Sequence, residues 1–287
     1  GVVVRLPWAG DLGIHAATVE RLRHDLLDPG DPLVAADAPS PYYTPWTLLL
    51  GCVAKATGLG VFVVLRIAAL VSLALLGTGV WAFVGTFLAS AASAASAASA
   101  ASAAGRWRRA GAAALVLLSL VLLWGTTLFD WSGFLGLNSL ALTVSYPSTF
   151  ALGATFWLWT LLRRARKWGH CLGAGALWAV ILLSHQFTGV VASLGALAMV
   201  LGARPWPSRA RWTRLGAGCV LGLALLALWP YYSFFGLFGV GGLEEIHRSL
   251  YRDLTGRFWL VALVGGAALV LRARRDRRDP LVLCCLF

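Results

Sequence analysis

Asp11 and His15 are the first residues in the chain placed to move a proton, four positions apart in Gly10-Asp11-Leu12-Gly13-Ile14-His15. The run from Gly13 to Leu27 is amphipathic. Val19, Leu22 and Leu26 share a helical face, and Glu20, Arg21, Arg23 and Asp25 point elsewhere. On such a helix, a spacing of four puts His15 over the same side of the first turn as Asp11, where the two could bond or share a ligand. A carboxylate at Asp11 has two uses that do not exclude each other. It can cap the free amides of the first turn, or it can act as a general base. Asp130, in Phe129-Asp130-Trp131, is another lone acid at the end of an apolar run. It reads equally well as a second catalytic or metal-ligating carboxylate and as a hydrated helix end. Cys52, Cys171, Cys219, Cys284 and Cys285 show no CxxC or Cys/His metal spacing and read as small packing residues. The metal requirement stays open, a divalent cation included.

The elements that position these groups follow from composition. Apolar residues make up 59% of the 287, charged residues 13%, and mean hydropathy is +0.76. A chain of that kind is not stable facing water on all sides, so an integral membrane protein is expected. The net charge of +12 does not point to nucleic acid, which needs a solvated basic face. The basic residues fall in short clusters between apolar runs instead. Arginine outnumbers lysine 22 to 2, a bias of high-GC bacterial genomes that carries no mechanism.

A spanning helix needs about 20 mostly apolar residues. The expected spans are 67–88, 110–129, 148–162, 172–183, 189–201, 215–235 and 258–271. The basic clusters Arg106/Arg108/Arg109, Arg163/Arg164/Arg166/Lys167, Arg204/Arg209/Arg211/Arg214 and Arg272/Arg274/Arg275/Arg277/Arg278 occupy every second connection. By the positive-inside rule that side is cytoplasmic. Asp11, Asp130, Glu244, Glu245 and Asp253 fall in the alternate connections, which face outward. The expected fold is therefore all-α: a polytopic transmembrane helix bundle in a bacterial plasma membrane, one domain over 1–287. Residues 5–60 form an extracytoplasmic loop with two interfacial helices. The Ser-Ala-Ala repeat of 90–105 forms a cytoplasmic linker without chemistry. Apolar tails without an initiating Met suggest a fragment, with Gly1–Val4 closing one span and the last seven residues opening another.

In that outer loop, Pro41-Tyr42-Tyr43-Thr44-Pro45-Trp46 introduces the second interfacial helix, which ends at a glycine. Proline suits the first helical position, and the aromatics read as headgroup-belt residues ahead of sugar-stacking platforms. Val61-Phe-Val-Val-Leu-Arg66-Ile opens the next span. His185, in Ser184-His185-Gln186-Phe187-Thr188, reads as a polar turn.

This order of elements over roughly residues 8–90 resembles the GT-C superfamily of membrane glycosyltransferases: outer Asp, interfacial helix, Pro/Tyr/Pro turn, second interfacial helix, then Leu-Arg-Ile. It is most similar to the bacterial protein mannosyltransferase-like and arabinosyltransferase-like branch, of the actinobacterial type. The resemblance implies an inverting transferase that takes a sugar from a polyprenyl-phosphate donor in the membrane. The acceptor is an extracytoplasmic glycan, lipid or protein. Asp11 takes the place of the catalytic loop carboxylate and Arg66 that of the arginine opening the following span. His15 and Asp130 are the further catalytic candidates. Arg66, Arg248, Arg252 and His247 are candidates for the donor phosphate, since arginine binds phosphate through two parallel hydrogen bonds. Arg248 and Arg252 could instead pair with Glu244 and Glu245. The family's commoner acidic pair is missing, because Leu12 follows Asp11. Two other classes stay in play: a lipid or solute transporter, and a non-catalytic subunit of an envelope-assembly complex. No expected span carries an ionisable residue near its middle, which counts against the transporter.

Overall fold

The computed structural model describes residues 6, 10–35, 38–91, 103–125, 136–239 and 252–287. The described residues are helical without a strand: α1 (Leu12–His24), α2 (Pro45–Thr57), α3 (Val61–Ala91), α4 (Ala103–Leu122), α5 (Leu137–Thr143), α6 (Pro147–Arg164), α7 (Trp168–Ser184), α8 (Gln186–Leu201), α9 (Arg209–Ala227), α10 (Leu254–Arg275) and α11 (Pro280–Leu286). Both helices expected between residues 5 and 60 form. In α1 Val19 and Leu22 are fully buried, as the apolar stripe requires. At the start of α2, Pro45 stands at the first position behind a Thr44–Thr47 capping box, which satisfies two amides that the helix leaves open.

Two helices are long and apolar enough to cross a membrane: residues Val61–Leu88 of α3, with mean hydropathy 2.3, and α10, with 1.8. The other five expected spans fall short for two physical reasons. The apolar helices α7 and α8 have 17 and 16 residues, about 24–26 Å at 1.5 Å per residue. Helices α4, α6 and α9 contain arginines within their ends, so their apolar stretches are shorter than the helices. The Ser/Ala segment lies mostly outside the described residues.

The central packing pairs α3 with α6, α6 with α7 and α8, and α7 with α9. Leu76, Val80, Phe83, Ala151, Phe156, Leu158, Ile181 and Met199 build its core. Small residues set the closest approach: a Cβ on Gly153 would stand 2.8 Å from the Leu76 amide nitrogen, so only glycine lets these two backbones meet. A second cluster joins α1, α2 and the start of α3 through Leu12, Val19, Trp46, Leu50, Val64 and Leu65. Each such apolar side chain contributes roughly 1.5–3 kcal/mol where burial removes it from water.

The two ends of this assembly differ in chemistry. At one end the arginines reach across helix termini. Arg109 Nε donates to the Trp81 carbonyl (3.0 Å), Arg163 Nε to Thr86 Oγ1 (2.7 Å) and Arg211 Nη2 to the Leu162 carbonyl (2.9 Å). Arg204 and Arg272 pair with Asp276 and Asp279. At the other end, aromatic side chains tie the loops to the helices. Trp229 Nε1 donates to the Tyr43 carbonyl (2.9 Å), Tyr231 Oη to Leu26 (2.5 Å) and Tyr232 Oη to Leu183 (2.9 Å). Tyr43 and Trp46 differ from the belt expectation. They are 2% and 3% exposed, because α2 is pressed onto α6, where Trp46 stacks on Phe150 at 4.3 Å with rings nearly parallel. Neither is open to a lipid headgroup or a sugar.

Candidate functional site

Asp11 stands immediately ahead of α1, at φ −85° and ψ 11°. This is the sparsely populated bridge between the α and β regions, where active-site residues recur. Its carboxylate does not cap the helix. The Tyr146 phenol, just before α6, stands against this turn. Gly10 makes that approach fit, with a left-handed φ of 55° and a would-be Cβ only 3.3 Å from Tyr146 Oη. The Asp11 side chain is exposed, without a hydrogen bond or ion pair among the described residues.

Two phenols feel its charge. Tyr146 is pushed up to about 12, first by burial and then by the negative charge of Asp11. Tyr42 is raised for the same two reasons in the same order, with Asp31 adding a little. Both stay protonated and can act as hydrogen-bond donors beside the carboxylate.

Behind Asp11 lies His15, 9% exposed. The Tyr146 ring meets it edge-on at 4.6 Å, and Tyr42 lies at 6.4 Å. No hydrogen bond joins its ring to the Asp11 carboxylate. Nδ1 is buried without a partner, an arrangement that costs about 1–3 kcal/mol. Burial, and after it the neighbouring His185, lower His15 to about 4. His185 connects α7 to α8. Its Nδ1 meets Thr188 Oγ1 at 2.8 Å and accepts the Thr188 amide at 3.3 Å, which places its ring proton on Nε2. Burial alone holds it at about 4. Both imidazoles are neutral near pH 7. The result is a pit with the Asp11 carboxylate at its mouth, two protonated phenols on its walls and two neutral histidines beneath.

The other sequence candidates lie apart from this pit. Arg66 is exposed on α3, on the face of Phe62, Ile67 and Leu70. Val61, Val64, Leu65 and Ala68 on the opposite face are the ones packed toward α1 and Tyr146. It therefore points away from Asp11. Arg252 is exposed just ahead of α10, whose contacts are with α11 and with Gly125 at the end of α4. Asp130, His247, Arg248, Glu244 and Glu245 lie outside the described residues. Among the described residues no three His, Cys, Asp or Glu side chains converge as metal ligands do.

Sequence reasoning passed over Tyr146 and gave His185 only a turn. Both sit in outward connections of the expected topology, Tyr146 before Pro147 and His185 between two apolar helices. That shared side was the signal available for grouping them with Asp11.

Compared with protein-family models, curated proteins and solved structures, the chain has no match.

Proposed function

We propose that the chain is a multi-pass membrane glycosyltransferase of GT-C type, with the arginine end in the cytoplasm and the Asp11 pit at the outer surface. The observation that carries this reading is the Asp11 carboxylate, ionisable, exposed and free of the capping duty its position suggests. Two further observations support it. Arginines of separate connections gather at one end, as the positive-inside rule asks. And α10, 22 residues long, buries no side chain against protein, which suits a surround of hydrocarbon.

In the proposed reaction Asp11 takes the proton of an acceptor hydroxyl as that oxygen attacks the anomeric carbon of the donor sugar. The bond from anomeric carbon to phosphate oxygen breaks, and the polyprenyl phosphate leaves with the electron pair, inverting the centre. Tyr42 hydrogen-bonds a sugar hydroxyl.

The test is transfer in proteoliposomes given a radiolabelled polyprenyl-phosphate sugar and, separately, the matching nucleotide sugar. Labelled product from the lipid donor alone is expected. Movement of the lipid or of a solute across the bilayer with no transfer would instead favour a transporter. Inactivity in isolation, coupled with recovery of an active transferase as a bound partner, would favour an accessory subunit.

A further inference from the structure

At the arginine end, Arg166, Arg211 and Arg214 line a pocket of about 160 Å³ together with Trp206 and Ser208. Among the described residues none of the three pairs with a carboxylate; Asp276 and Asp279, the acids of this region, are held by Arg204 and Arg272. Arg211 is 8% exposed and spends Nη2 on the Leu162 carbonyl. Its Nε is buried with no hydrogen-bond partner. Arg214 donates to the Arg166 carbonyl, which ties the cluster to the end of α6. A buried guanidinium with an unused donor, beside two further unneutralised cations, is an incomplete electrostatic arrangement.

An apolar groove of about 350 Å³ adjoins this pocket, between α7, α8 and α9, with Leu158, Leu162, Trp178, Leu197 and Leu215 on its walls. The two share a boundary. Leu162 lines the groove and its carbonyl receives Arg211. Trp212 of the groove and Trp206 of the pocket stand 5.9 Å apart, centre to centre. An arginine pocket opening onto a hydrocarbon-lined groove of membrane-facing helices matches one kind of molecule in both halves.

We propose that this is a binding site for an anionic phospholipid, with its phosphate among Arg166, Arg211 and Arg214 and an acyl chain along the groove. Basic pockets between helices on the cytoplasmic side of a membrane hold lipid headgroups in this way. Arginine suits phosphate through two parallel hydrogen bonds. The site is separate from the Asp11 pit and does not depend on sugar transfer. It requires only that these helices stand in a bilayer.

The experiment uses the full chain in nanodiscs containing phosphatidylglycerol or phosphatidylcholine, each carrying a photoreactive group on one acyl chain. Labelling is mapped by peptide mass spectrometry. Phosphatidylglycerol is expected to label the Trp212–Cys219 and Cys171–Trp178 segments at least fivefold more than phosphatidylcholine, since each arginine near the surface contributes about fivefold to anionic-lipid binding. Arg166→Gln, an exposed change that removes no internal hydrogen bond, should lower that preference about threefold or more, and Arg211→Gln should lower it further. Equal labelling by the two lipids overturns the proposal, as does a preference unchanged in Arg166→Gln. In a parallel arm, millimolar inorganic phosphate should leave the labelling intact. If phosphate abolishes it while also raising Tm, the pocket is a site for free anions and the lipid assignment fails.

Discussion

Acidification from about pH 6.5 to pH 4 is expected to cost the folded protein several kcal/mol, seen as a steep fall in Tm at constant detergent and salt. His15 and His185 are both held at about 4 in the folded chain, against about 6.5 for a histidine in water. Inside that window the unfolded chain takes up a proton at each imidazole and the folded chain does not. The unfolded state therefore binds more protons, so stability rises with pH there and is lost as pH falls. Each pH unit corresponds to about 1.4 kcal/mol, so the whole window amounts to on the order of 3 kcal/mol for each histidine. Burial is the main cause for both, and the His185 charge adds to it at His15, so the two titrate as a pair.

His15→Leu tests this without breaking a hydrogen bond, since Nδ1 of His15 has no partner. The variant should lose about half of the acid sensitivity between pH 6.5 and 4 while matching or exceeding the wild-type Tm at pH 8. A wild-type Tm flat across this range would show that the imidazoles are hydrated and charged in the folded protein.

Local features were legible in the sequence and long-range ones were not. The stripe of Val19 and Leu22, the proline before Trp46 and the glycine closing α2 each act within one or two turns, so spacing alone places α1 and α2. The burial of Trp46 depends on Phe150, about a hundred residues further on, and no local pattern distinguishes a belt tryptophan from a packed one. The same holds for Asp11. Its position before an amphipathic helix argues for a cap, and only the fold reveals that the carboxylate makes no capping bond and that Tyr146, 135 residues away, stands against the same turn. Arg66 fails as a neighbour of Asp11 for a helical reason. One residue of a 3.6-residue turn separates it from Leu65, enough to swing it from the packed face to the outer one. Of the charge pattern, the fold shows arginines of separate connections bonding across to neighbouring helices.

Asp11→Asn is the second large expected effect. The substitution keeps the shape of the side chain and removes its capacity to accept a proton. The carboxylate makes no hydrogen bond or ion pair among the described residues and does not cap α1, so folding loses nothing with it. Tm should stay within about 1 °C of wild type, as for a surface change of a few tenths of a kcal/mol. A general base contributes about 10²–10⁴-fold to a rate, so transfer from the lipid-linked donor should fall by that factor. The loss should appear in kcat with KM nearly unchanged, because proton removal belongs to the transition state. A carboxylate that merely shaped the pit would show the reverse pattern, with KM raised and kcat kept.

The most direct measurement is therefore the kcat of purified Asp11→Asn in proteoliposomes with saturating polyprenyl-phosphate sugar, alongside wild type of equal Tm. A fall of at least about a hundredfold is the predicted result. Turnover within a fewfold of wild type would contradict the assignment of Asp11 as the base.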